Sequence, residues 1–171
     1  SIAVSPFNGT VFVAVESFSP VTSNDIIILR NEPTWWGAYW IDGDGDDDRN
    51  PQLISEYSWG SSNWLYVTYE MDWTYDDRDL MFARSTNWGQ TWTITTLRGL
   101  YDTDEYVGND VDDVYVESDI AYVQRNIYIA YIHSEDWVSA RHIDVAYSTD
   151  YGDSWTHVYN IHSGVPTDPR N

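Results

Sequence analysis

Short runs of β-branched and aromatic residues, broken by Asp, Asn, Gly, Pro and Ser, run the whole length of the chain. Three runs read almost alike: Val11-Phe12-Val13-Ala14-Val15-Glu16, Leu65-Tyr66-Val67-Thr68-Tyr69-Glu70 and Ile127-Tyr128-Ile129-Ala130-Tyr131-Ile132. Their columns hold β-branched or Leu, then aromatic, then β-branched, then small. Little polar alternation appears in them, so each predicts a strand covered on both faces. No segment carries helical periodicity.

A second pattern follows each run at nearly constant distance. Ser148-Thr149-Asp150-Tyr151-Gly152-Asp153-Ser154-Trp155 fits S-x-D-x-G-x-x-W. Ser85-Thr86-Asn87-Trp88-Gly89-Gln90-Thr91-Trp92 fits with Asn for Asp, and Leu29 to Trp36 is a decayed copy keeping Asn31 and Trp36. The closing tryptophans at 36, 92 and 155 are 56 and 63 residues apart. Internal repetition of this kind marks serial units of one supersecondary structure.

Each unit predicts four strands. The first has Ile2–Val4, the Asn8-Gly9 hairpin signal, Val11–Glu16, Asp25–Leu29 and Gly37–Ile41. The second has Gln52–Ser55, Leu65–Glu70, Asp79–Arg84 and Thr93–Leu97. The third has Asp119–Val123, Ile127–Ile132, Ile143–Tyr147 and Thr156–Ile161. The expected fold is all-β: three four-stranded antiparallel blades, at about 1–41, 51–97 and 119–161, stacked as in a propeller. A β-sandwich is the alternative that the in-register repeat disfavours.

The repeated motif resembles the Asp-box, or BNR, repeat of sialidase-like β-propellers, and the resemblance spans essentially the whole chain. It implies a box at the blade rim, between third and fourth strands. There Asp150 or Asn87 accepts turn amides, Gly152 or Gly89 supplies a left-handed residue, and Trp155 or Trp92 packs beneath. Ser85 and Ser148 complete the two boxes, and the tryptophans, Trp36 included, are expected to be mostly buried. The box is a structural device.

A sialidase of that family would clamp a carboxylate with three Arg, one in Arg-Ile-Pro, and use a Tyr–Glu pair with an Asp acid/base. No Arg-Ile-Pro occurs here. Arg49-Asn50-Pro51 comes nearest, but Arg-Asn recurs at Arg170-Asn171, which suits a blade junction better than a unique catalytic group. The other arginines share no evident register. No carboxylate pair stands out, and the four histidines show no metal-ligand spacing. No catalytic residue is assigned. The expected role is a non-enzymatic binding, adhesion or structural module, extracellular or at the cell surface; the alternative is a sialidase-like glycoside hydrolase with an incomplete catalytic set.

Composition sharpens this picture. The 171 residues carry Asp+Glu 28 against Lys+Arg 8, a net charge of −20. Such a chain repels phosphates and anionic membranes, so nucleic acid and lipid surfaces are poor partners. Cys 0 excludes disulfides and thiolate metal sites. No apolar run reaches the roughly 20 residues of a membrane helix, and residue 1 falls inside a strand-like segment, as at a processed boundary. Asp42-Gly43-Asp44-Gly45-Asp46-Asp47-Asp48 opens like a D-x-D-x-D calcium loop, with Asp42, Asp44, Asp46 and Asp48 as candidate Ca²⁺ ligands. A merely solvated acidic loop fits equally. Trp59, Trp73, Trp88 and Trp137 fall in predicted loops and are candidates for stacking on sugar rings, with inter-blade packing as the other reading. Three blades leave two faces open, because propellers typically use about four to eight. The expected partner is a second copy, closing a six-bladed ring as a homodimer, or further blades of a longer chain.

Overall fold

The second strand of each repeat forms the spine of a sheet. In the computed structural model, described for residues 1–6, 8–18, 23–41, 46–58, 62–74, 77–98, 115–123, 125–134 and 141–165, the predicted strands all appear. The first unit contains β1 (Ile2–Val4), β2 (Val11–Phe18), β3 (Asn24–Asn31) and β4 (Trp36–Trp40). The second contains β5 (Asp47–Ser58), β6 (Ser62–Thr74), β7 (Asp77–Ser85) and β8 (Thr93–Arg98). The third contains β9 (Tyr115–Val123), β10 (Asn126–Ser134), β11 (Arg141–Ser148) and β12 (Thr156–Val165). Each unit is a four-stranded antiparallel meander in sequence order.

The sheets stack face to face. Phe12, Ala14, Ile26 and Ile28 of the first unit interlock with Leu65, Val67, Tyr69 and Met71 of the second. Tyr66, Leu80 and Phe82, on the opposite face of the second unit, pack on Ile127, Ile129 and Tyr131 of the third. Side chains alternate faces along a strand, so β6 sends odd positions one way and even positions the other. It is buried without interruption from Leu65 to Met71.

Burial on both faces therefore holds for β6 but not for its two counterparts. β2 alternates between buried and partly exposed positions, and in β10 Tyr128 is 42% exposed although its counterparts Phe12 and Tyr66 are fully buried. The reason is position in the stack: the first and third units each have a sheet on one side only.

Several inner strands outrun their predicted bounds. β5 starts at Asp47 because Asp47, Asp48 and Arg49 pair with Asp72, Met71 and Glu70. Asp48 is thus a strand residue, not part of a loop, and Trp73 likewise lies in β6. The ladder slips between Arg49 and Gln52, where Pro51 has no N–H to donate and Asn50 takes φ 52°.

Candidate functional site

The two ends of the units differ in chemistry. One end carries the hairpins from first to second strand and the turns from third to fourth strand. The other carries the remaining connections.

At the first end, both complete motifs fold alike. Ser85 Oγ accepts the Gly89 N–H at 2.9 Å and donates to Asn87 Oδ1 at 3.0 Å. Asn87 Oδ1 also accepts the Thr91 N–H at 2.9 Å. In the third unit, Ser148 Oγ accepts from Gly152 at 2.7 Å, and Asp150 accepts from the Ser148 hydroxyl, the Ser154 N–H and the Ser154 hydroxyl at 2.7, 2.9 and 2.6 Å. Those donors, led by the Ser154 hydroxyl, hold the Asp150 carboxyl down at about 2. Two consecutive residues in each turn have positive φ: Trp88 and Gly89 at 66° and 80°, Tyr151 and Gly152 at 63° and 88°.

Trp92 and Trp155 are only partly buried. Trp92 packs on the first core and donates its indole N–H to Gly89 O at 3.1 Å. Trp155 meets Phe82 edge-on at 4.8 Å. Trp36 departs from expectation: it is 54% exposed and sits within β4, opposite Asn31. The first unit joins its third and fourth strands with residues 32–35, whereas the complete motifs use 86–92 and 149–155. With three residues fewer, no box turn can form. Asn31 ends its strand in the column of Ser85, not of Asn87, and its Oδ1 accepts the Val11 N–H.

Arg30 and Arg84 do share a register, contrary to the sequence reading. Each is the penultimate residue of a third strand, and each donates to the next unit's turn at its left-handed aromatic residue. Arg30 Nη1 bonds Trp88 O at 2.8 Å and Arg84 Nη1 bonds Tyr151 O at 2.9 Å. Arg84 also pairs with Asp153 at 2.8 Å. Arg30 bonds Glu32 Oε1 through Nε at 2.7 Å and through Nη2, and the Arg30 hydrogen bonds hold the Glu32 carboxyl below its ordinary range. Between the second and third units, Glu56 accepts the hydroxyls of Tyr66, at 2.7 Å, and Tyr122. Burial first and this carboxylate second push both phenols upward.

A cleft of about 550 Å³ opens at this end between the first two units. Thr10, Asn8, Asn31, Glu32, Trp88 and Gln90 are among its walls.

The other end gathers carboxylates. Asp48, Glu70, Asp79 and Asp144 are all buried there. Asn50 donates its amide to Glu70 at 2.7 Å and its N–H to Glu16 of the first unit at 2.8 Å. Asp47 accepts the Asn24 N–H at 2.9 Å, which more than Arg49 lowers its carboxyl. Arg49 bridges Asp47 and Asp72 at 3.1 and 3.6 Å. Arg98, closing β8, pairs with Asp144 of the third unit at 3.3 Å. Tyr131 stands opposite Asp144, and burial with that charge pushes its hydroxyl up to about 12.

Of the arginines whose side chains are described, Arg49 and Arg98 lie at this end and Arg30, Arg84 and Arg125 at the other; Arg78 in β7 and Arg141 in β11 also lie at this end, with their backbones alone described. No group of three or more His, Asp or Glu able to hold a metal forms among the described residues. Of the calcium candidates, Asp42 and Asp44 lie outside the described residues, while Asp46 is partly buried and Asp48 fully buried. Trp59 and Trp137 also lie outside them, and only the backbone of Trp73 is described. Trp88 is the one stacking candidate placed, on the cleft. The buried carboxylates were hidden by the abundance of Asp. The arginine ties could have been found, since Arg precedes the strand-end Asn or Ser at both 30 and 84.

Neither a family profile nor a curated protein sequence matches this chain. Solved structures do. An α-L-arabinofuranosidase mutant from Fusarium graminearum, in complex with an iminosugar inhibitor, superposes with TM-score 0.64 at 15% identity over 92% of this chain and 47% of that one. The complex of the Fusarium graminearum GH93 enzyme with arabinobiose gives the same TM-score, 0.64, identity, 15%, and coverage, 92% and 47%. The chain spans about half the length of these structures. They are β-propellers, and the three four-stranded antiparallel sheets of this chain share their fold.

Proposed function

We propose that this chain is a section of a carbohydrate-active propeller of the glycoside hydrolase type, acting on arabinose-containing glycans outside the cell. This prefers the hydrolase alternative to a purely adhesive role. The observation that carries it is the gathering of the buried carboxylates Asp48, Glu70, Asp79 and Asp144 at one end of the stack. The likeness in fold to propeller arabinofuranosidases gives the glycoside hydrolase reading a precedent. Glycoside hydrolysis needs two carboxyl groups flanking the scissile bond, one kept protonated by its surroundings. Burial is the kind of setting in which a carboxyl can be kept protonated, and Asp48, Glu70 and Asp79 are buried. Neutral glycans fit better than sialosides, since Arg49 and Arg98 at this end are committed to Asp47, Asp72 and Asp144.

The test is release of 4-nitrophenol from its α-L-arabinofuranoside by the purified chain. Release above the buffer rate that disappears in Glu70→Gln is the expected result. No release, together with retained oligosaccharide binding, would return the chain to the non-enzymatic reading.

A further inference from the structure

The two inter-unit junctions are built on one plan with one omission. Phe12 and Tyr66 occupy equivalent positions, opposite Arg30 and Arg84. Thr10 therefore stands where Trp64 stands. At the second junction Trp64 packs on Tyr151, ring centroids 4.9 Å apart, and the Arg84 guanidinium lies 5.7 Å from the Trp64 ring. At the first junction the counterpart of Tyr151 is Trp88, which has Phe12 at 6.4 Å between ring centroids; among the described residues no ring stands against it in the place of Trp64. Arg30 turns instead over Tyr39 of its own unit, at 4.7 Å. Thr10 and Trp88 both line the 550 Å³ cleft, a volume within the range of about 300–1,000 Å³ usual for small-ligand sites.

We propose that this cleft is a binding site for a neutral saccharide, whose ring takes against Trp88 the place that the Trp64 indole takes against Tyr151. The polar lining selects among ring-shaped ligands. Asn8 Oδ1 and Asn31 Oδ1 are held by the Thr10 and Val11 N–H groups, so each amide turns its NH₂ donors elsewhere. Gln90 is exposed at the rim. The hydrogen bonds of Glu32 all fall on Oε1, which leaves Oε2 to accept a hydroxyl. Amide donors, a carboxylate acceptor and an indole face together suit a ring with an apolar face and a hydroxyl edge. A purely aromatic ligand would leave those donors unpaired. An acidic sugar would meet Glu32 on a chain of net charge −20. Arg30 is spent on Glu32, Tyr39 and the Trp88 carbonyl. The site lies at the opposite end of the units from the carboxylates and is independent of hydrolysis there.

An NMR titration of the chain's amides and indoles with arabinobiose, to about 20 mM for a weak site, tests the proposal. The Trp88 indole and the Gln90 side-chain amide are expected to shift together. Gln90→Ala, at an exposed position, should weaken binding about fivefold, as for one lost hydrogen bond. Thr10→Trp should fill the cleft with the missing indole and abolish the shifts, its dispersed spectrum reporting an intact fold. Absence of a Trp88 shift, or its persistence in Thr10→Trp, overturns the proposal. Shifts confined to Asn50 and Glu70 would also overturn it, while leaving the hydrolase reading standing.

Discussion

The guanidinium of Arg84 reaches across the junction between two sheets to bond the carbonyl of Tyr151, the residue whose left-handed backbone makes the next unit's turn. That carbonyl points at the neighbouring sheet because φ at Tyr151 is 63°. Turn and arginine thus form one device, repeated by Arg30 and Trp88. Arg84→Ala would strip the partner from a buried-side carbonyl and from Asp153, and should cost about 1–3 kcal/mol. Arg84→Lys should recover only part of this, for lack of the planar fork. Urea denaturation followed by fluorescence measures both.

The two turn glycines should respond unequally to a methyl group. A Cβ on Gly152 would lie 2.6 Å from the Phe82 ring, whereas one on Gly89 would meet Leu65 Cδ1 at 3.3 Å. Both positions carry positive φ, so both substitutions strain the backbone. Gly152→Ala should cost about 2–4 kcal/mol, the sum of strain and overpacking, and Gly89→Ala about 1–2. Equal melting temperatures for the two variants would contradict this geometry.

Trp92 and Trp36 share a column in the sequence but not in space. Trp92→Ala should cost about 3 kcal/mol, near the low end for large aromatic truncations because the ring is only partly buried. Trp36→Ala, on an exposed strand face, should fall within about 0.5 kcal/mol of the parent. Paired chemical denaturation curves make the comparison.

Asp150 gives the third unit an acid sensitivity that the second lacks. Its carboxyl titrates at about 2 in the fold against an ordinary 3.8. A depressed folded value contributes stability above the unfolded pKa, and that contribution drains away as pH falls from about 4 to about 2. Asn87 makes the equivalent bonds through Oδ1 and also donates to Thr91 Oγ1 at 2.8 Å. Asp150→Asn should therefore fold normally. Its stability relative to the parent should improve as pH is lowered through that window, and parallel acid-unfolding curves would refute the assignment.

The outer faces bear on assembly. Ile2, Val4, Trp36 and Trp40 are more than half exposed on the first unit. The third unit has Tyr147 where the others have Arg, and the first unit lacks the turn that would receive it. Donor and acceptor are missing from the two surfaces that would meet if the third unit of one copy packed on the first unit of another. A homodimer that closes the ring through these two surfaces would therefore do so without the arginine device. Light scattering should then give twice 19.8 kDa; a stable monomer at micromolar concentration would exclude the pairing.

Much of the architecture could be read in the sequence, because each strand is a short β-branched and aromatic run and each motif turn carries its own Ser, Asp or Asn, and Gly. The hydrogen bonds of Asp150 are local, and local chemistry is legible. The exposure of Trp36 was not, since it depends on a connection shortened by three residues. The column of Arg30 and Arg84 went unseen because its meaning lies across a junction, in a carbonyl some 58 or 67 residues further on. The carboxylate end was obscured for a related reason: burial sorts Asp48 from its many neighbours, and burial follows from the stacking of whole sheets.

The alternation along β6 governs how the molecule can come apart. Its odd side chains belong to one core and its even side chains to the other, so the middle sheet gains from both neighbours while each outer sheet gains from one. In a stack coupled only between nearest neighbours, stability is set by the interfaces as much as by the units. Loss of either outer sheet would strip half of the middle one, and a single repeat cut from the chain would keep no complete core. The smallest cooperative element is thus a pair of sheets, and unfolding should run inward from the ends.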